Sequence, residues 1–246
     1  MRAVAAAPVD VIAPFAGSGV RGVSGDGGPA TAARLNGAQG LGVAVDPASG
    51  DVYISDTANC RVRKVSGGII TTIAGNGVCA YGGDGGPATS ASLNFPLGLA
   101  VDGAGSLFIA DVFSNRIRKV SAGTITTAVG NGSTAVLFDP LDLAFDPRNG
   151  DLLIADLSHV KKLSGGILST VASGLSGPQG ITVAANGDIY VAEYLGNVVS
   201  RISAGVRTVV AGNGVNGYTG DGGPATSAAV GEPRDVLLDA SGDLLI

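Results

Sequence analysis

Aromatic residues are scarce, at 4% of the 246 positions, and the chain holds a single histidine, two glutamates and two cysteines. One imidazole cannot assemble a multi-histidine metal cluster, and a Ser-His-Asp triad would depend wholly on His159, which has no G-x-S-x-G elbow to accompany it. Long apolar runs are missing too. Although 45% of the residues are hydrophobic, no run approaches the roughly 18 residues of a membrane-spanning helix. Positive charge is not in excess: the net charge is -5, so bulk electrostatics offer nothing to a phosphate backbone, and no nucleic-acid partner is expected. The opening Met1-Arg2 and the alanines after it are interrupted by Pro8 and Asp10 before an apolar region forms, so no signal peptide is read there.

What is present is glycine, 41 residues of it, spaced by a repeat. The stretch from Leu97 to Ser121 shows the unit: two short apolar runs, Leu99 to Val101 and Leu107 to Ala110, flank a Gly-rich turn. Each run is too short for a helix and reads as a strand. Arg116 to Val120 mixes charge with β-branched residues as a partly exposed strand does, and Thr124 to Val129 is a fourth strand ending at Gly-Asn-Gly. The second strand recurs as Gly50-Asp-Val-Tyr-Ile-Ser-Asp56, Gly105-Ser-Leu-Phe-Ile-Ala-Asp111, Gly150-Asp-Leu-Leu-Ile-Ala-Asp156, Gly187-Asp-Ile-Tyr-Val-Ala-Glu193 and Gly242-Asp-Leu-Leu-Ile246. Loops of variable length explain the uneven spacing. One such insertion, Gly-Asp-Gly-Gly-Pro-Ala-Thr, occurs at residues 25–31, 83–89 and 220–226; it reads as a compact structural loop whose Pro-Ala-Thr starts a short helical turn.

Four-stranded antiparallel units of about 40 to 50 residues predict an all-β fold, a β-propeller, with five blade units visible. Residues 1–246 are read as one domain. Asp10 to Gly17 aligns with a fourth strand, and Arg2 to Ala7 would serve as a third strand if the ring closed with five blades. A fragment of a six-bladed propeller, truncated at its C-terminus, is the preferred expectation, because a sheet edge left open invites aggregation.

The pattern P-x-G-[apolar]-A-V-D, then I-A-D-x-x-x-x-R-I-R-K-V, then I-T-T-[IV]-A-G-N-G and G-D-G-G-P-A-T resembles NHL-repeat propellers of bacterial extracellular and teneurin-like proteins. It covers nearly the whole chain, and is best kept over residues 40–132. The resemblance implies a non-enzymatic recognition or scaffold module, exported, with flanking domains, that holds a protein, peptide or glycan partner on one face. The alternative is a hydrolase or lyase similar to lactonase-like and amidating-lyase-like propellers, which call for His, Glu and Asn converging on a metal in the channel. The resemblance also implies that Asp56, Asp111, Asp156 and Glu193 tie turns to a third-strand arginine, Arg61 or Arg116. No catalytic residue, metal site or cofactor is assigned. The Asp46 to Asp51 stretch lacks the ligand spacing of an EF-hand, and the G-x-G-x-x-G matches at Gly17 to Gly22 and Gly212 to Gly217 lie in β-turns, outside any β-α-β unit. Asn131-Gly132-Ser133 matches a glycosylation sequon.

Two constellations remain. Cys60 lies just before a third strand and Cys79 just after the fourth strand of the same blade, so a disulfide is expected, placing the chain in an extracellular, periplasmic or cell-surface compartment. At the entrance of the first strands the aligned pairs are Leu41-Gly42, Leu97-Gly98, Leu141-Asp142, Gln179-Gly180 and Arg234-Asp235. Asp142, Arg234 and Asp235 are departures from glycine and leucine. They read as an internal ion pair plugging the channel, or as a polar pocket in which Arg234 holds an anion and Asp142, Asp235 and Gln179 bind hydroxyls or a cation, with the Gly-Asp-Gly-Gly-Pro-Ala-Thr loops as its rim.

Overall fold

The computed structural model describes residues 12–37, 40 and 42–246. A short strand, β1 (Gly28–Pro29), precedes the first blade, β2 (Val43–Val45), β3 (Val52–Asp56), β4 (Arg61–Ser66) and β5 (Ile69–Ala74). The second blade is β6 (Pro96–Val101), β7 (Leu107–Asp111), β8 (Arg116–Ser121) and β9 (Thr124–Val129); the third is β10 (Pro140–Phe145), β11 (Leu152–Asp156), β12 (His159–Ser164) and β13 (Ile167–Ser173). The fourth is β14 (Pro178–Val183), β15 (Ile189–Glu193), β16 (Val198–Ser203) and β17 (Val206–Ala211). A ribbon of β18 (Tyr218–Thr219) and β19 (Ala229–Val230) leads to β20 (Leu237–Leu238) and β21 (Leu244–Leu245), which open the fifth unit.

Each complete blade is an antiparallel meander in which strands pair in chain order. Alternate apolar side chains of neighbouring blades interdigitate, as in the cluster of Phe108, Ile117, Leu143, Leu152 and Ile154 between blades two and three, where Phe108 and Phe145 meet edge to face at 5.2 Å. The first strands stand side by side about the axis. A Cβ on Gly42 would lie 2.0 Å from the Leu97 carbonyl oxygen, one on Gly98 2.5 Å from Cα of Asp142, and one on Gly180 2.5 Å from Cα of Asp235. Glycine is required there because the next blade's backbone occupies that space.

The carboxylate closing each second strand is fully or almost fully buried and points back toward the segment that enters its blade. Asp56 accepts the N–H of Asn36 at 2.7 Å, Asp111 that of Asn94 at 2.5 Å, Asp156 that of Phe138 at 2.6 Å and Glu193 that of Ser176 at 2.7 Å. The cation that balances it is not the residue implied by the family pattern. Arg61 and Arg116 reach backbone carbonyls instead, those of Asn59 and Asn76 and that of Ser114. Arg63 and Arg118, two residues further on and fully buried, pair with Asp56 and Asp111 at 3.3 Å each. Blade three uses Lys161 on Asp156 at 3.1 Å, and blade four draws Arg207 from its fourth strand onto Glu193 at 2.6 Å.

The repeated loops explain the buried arginines. Asp26 meets Arg63 and Asp84 meets Arg118, both at 2.6 Å. Asp26 also accepts the Thr72 hydroxyl, and Asp84 the Thr127 N–H. The first two loops therefore reach down the outer strand of the blade each precedes: β1 pairs with β5, and the Gly85 and Ala88 N–H groups donate to Ile125 and Gly123 carbonyls of the β8–β9 hairpin. This corrects the expected rim at the channel mouth, since the loops cover outer edges. Pro29, Pro87 and Pro224 each start a single 3-10 turn.

One more expectation changes. Of the strand expected over Asp10 to Gly17, residues 12–17 form none; Ala16 packs against the core cluster of Ala30, Ala33 and Ile54, and Gly17 and Ser18 donate to Ala30 and Ala33 carbonyls; Asp10, Val11 and Arg2 to Ala7 lie outside the described residues. His159 is half-buried at the start of β12, with Ser158 Oγ 3.1 Å from its Nδ1. Cys60 and Cys79 are joined by a disulfide with a Cα separation of 5.3 Å. Cys60 sits in the left-handed region, φ 51°, where blade two has Asn115 at φ 50°.

Two predictions follow from this frame. Arg118→Met strands the Asp111 carboxylate and releases the loop at Asp84, and should cost about 3–5 kcal/mol in urea unfolding, against about 1–2 kcal/mol for Asp84→Asn. Equal small losses would show that the pair contributes little. The double replacement Cys60→Asn with Cys79→Thr keeps the left-handed turn and should lower stability by about 3 kcal/mol through lost chain closure, measured the same way.

Candidate functional site at the channel mouth

The first strands enclose a cavity of about 660 Å3, whose lining includes Val43, Val45, Leu99, Leu143, Ile181 and Leu237, together with Asp142, Gln179, Arg234 and Asp235. The mouth residues thus share one cavity, yet they do not form the expected ion pair. Among the described residues no salt bridge includes Arg234; its guanidinium lies over the ring of Tyr194, 4.8 Å from the centroid. Asp142 Oδ2 accepts the Ile181 N–H at 2.9 Å, linking the third blade to the fourth. Asp235 is exposed and accepts the N–H of Val236 at 2.8 Å. Gln179 is half-buried and makes no side-chain hydrogen bond among the described residues.

Asp142 is surrounded by blades but remains within reach of water in the cavity, which is why it is half-buried by surface yet strongly desolvated. Burial pushes its carboxyl up to about 7, and the charge of Asp235 adds to the effect; the N–H groups of Ile181 and Leu143 oppose it. The mouth therefore carries a carboxyl that burial raises to about 7, with no cation paired to it among the described residues. Tyr194 was not legible as a mouth residue. Its one signal is that an aromatic follows the second-strand carboxylate where the other blades have Thr57, Val112 and Leu157.

The remaining motifs are structural. Asp46 caps its own turn through the Ala48 N–H and the Ser49 hydroxyl, which lower its carboxyl. Third-strand lysines are occupied by turn carboxylates, Lys64 with Asp51 at 2.8 Å and Lys119 with Asp102 at 3.3 Å. Among the described residues no group of three His, Cys, Asp or Glu side chains could hold a metal, and no helix is long and apolar enough to cross a membrane.

Because the folded state favours the neutral form of Asp142, its stabilising effect is complete at low pH and is lost as pH rises through about 7. Asp142→Asn should therefore raise the melting temperature at pH 8 and leave it nearly unchanged at pH 4. The gain has an upper bound of about 4 kcal/mol, reduced by cavity water. A gain independent of pH would contradict this origin.

The NHL repeat family model matches residues 41–65. Teneurin-4 of Mus musculus is 28% identical over 272 aligned positions, which cover 83% of this chain and 10% of the teneurin. Teneurin-1 of Gallus gallus is 34% identical over 153 positions, covering 50% of this chain and 6% of that protein. The chain thus spans a tenth or less of these relatives. A streptogramin B lyase structure superposes with a TM-score of 0.60 at 16% identity, covering 90% of this chain and 62% of that one. A putative gluconolactonase gives 0.60 at 17%, covering 82% and 69%. At such identities the shared property is the fold. Blade architecture, the NHL repeat matched at residues 41–65 and the teneurin similarity together show a β-propeller that carries an NHL repeat and is similar to teneurins over most of its length.

Proposed function

We propose that this propeller is a recognition module of an exported protein, and that it docks a protein or peptide partner at the channel mouth by taking in a basic side chain. The observation that carries the reading is Asp142, a half-buried carboxyl in an open cavity, held by backbone N–H groups and beside no cation among the described residues. An incoming ammonium or guanidinium would pair with Asp142 and Asp235, while the apolar walls take its aliphatic stem. Arg234 on Tyr194 and the free amide of Gln179 would border the entrance and bond the partner's backbone. The disulfide favours an oxidising compartment, and the teneurin similarity favours a module within a larger protein. The lyase and lactonase likenesses support the fold alone.

Calorimetry with short peptides carrying one lysine, free or acetylated, tests the reading. The free amine should bind more tightly, by at least tenfold at pH 8, lose affinity as pH falls through about 7, and lose it at all pH values in Asp142→Asn. Equal binding of free and acetylated peptides, or of neutral oligosaccharides without pH dependence, would overturn it.

A further inference from the structure

Three fourth strands end in the same turn, Gly75-Asn76-Gly77, Gly130-Asn131-Gly132 and Gly212-Asn213-Gly214. In each, the asparagine Oδ1 accepts the N–H two residues on, that of Val78 at 2.8 Å, Ser133 at 2.9 Å and Val215 at 2.9 Å. The other half of the amide distinguishes them. Asn76 Nδ2 donates to the Ser90 carbonyl and Asn213 Nδ2 to the Ser227 carbonyl, both at 3.1 Å; these acceptors belong to the loop folded against the turn. No such loop precedes the third blade. Asn131 Nδ2 accordingly has no acceptor among the described residues, and Asn131, Gly132 and Ser133 are all exposed. This turn alone also carries a hydroxyl two positions on, Ser133, where its sisters carry Val78 and Val215, and no other Asn-x-Ser/Thr occurs in the chain.

We propose that Asn131 is an N-glycosylation site. The inference rests on the reading of the chain as exported. The new bond joins Asn131 Nδ2 to the anomeric carbon of an oligosaccharide, and the bond from that carbon to the phosphate oxygen of a lipid-linked glycosyl phosphate donor breaks. One amide proton leaves with the phosphate, and nothing is oxidised or reduced. The turn loses no contact in the exchange, because Oδ1 keeps the Ser133 N–H and the departing proton was unbonded. At Asn76 or Asn213 a sugar would have to displace the covering loop. Asn131 follows β9 at the end of the blade where the first strand begins, so the glycan would stand on the mouth face, at its periphery, and limit how a partner approaches.

Secretion of the chain from a glycosylating host behind an added leader tests this, since the leader imposes export whatever the natural compartment. The expected result is one glycoform that collapses on peptide-N-glycosidase treatment, leaving aspartate at position 131 in the peptide map. The glycoform should vanish in both Asn131→Gln and Ser133→Ala, the second of which keeps the Asn131 turn. Secreted wild type with its Cys60–Cys79 bond intact and Asn131 unmodified would overturn the proposal without touching the export reading.

Discussion

The blades depend on one buried carboxylate each. At the end of the second strand, Asp56, Asp111, Asp156 and Glu193 accept a backbone N–H from the segment that brings the chain in from the previous blade. A buried carboxylate left alone would be costly, so every blade must also supply a cation. The contact is thus both a local cap and the point at which consecutive blades are pinned in register. Even with Arg118 beside it, Asp111 is pushed above the ordinary carboxylate range, because burial outweighs the attraction of its partners.

The source of that cation varies with the loop. Blades one and two, which the Gly-Asp-Gly-Gly-Pro-Ala-Thr loops precede, have a third-strand arginine that the loop aspartate bonds from outside. Blades three and four have no loop and no arginine at that position; Lys161 and Arg207 substitute. Loop and arginine act as one device that satisfies a buried acid and covers an edge strand. Without it, β13 and β17 leave Ile167 and Val206 exposed, and Arg207 places a charge on the uncovered β17 edge.

Much of this architecture was legible. Short apolar runs bounded by glycine read as strands, and recurrence gave the blades. The family resemblance implies Arg61 as the partner of the strand-ending acid, and Arg61 stands directly opposite Asp56 in the ladder, but the side chain that reaches the acid is Arg63, just past a bulge between Val62 and Arg63. The course of the loops was misread because their contacts lie in the following blade, some 40 residues away, at Ile125 and Gly123. Placing Asp142, Gln179, Arg234 and Asp235 around one cavity required only the repeat alignment. Turning Arg234 toward Tyr194 required three dimensions.

The mouth is where the repeat rule is broken. Where the first, second and fourth blades have Gly42, Gly98 and Gly180, the third carries Asp142, whose carboxyl is pushed up to about 7 by burial. Its titration, followed by carboxyl carbon NMR in the free protein, tests the account most directly. A midpoint near 7, falling when a cationic peptide is added, is the predicted result. A midpoint in the ordinary carboxylate range near 4, unmoved by the peptide, would contradict it.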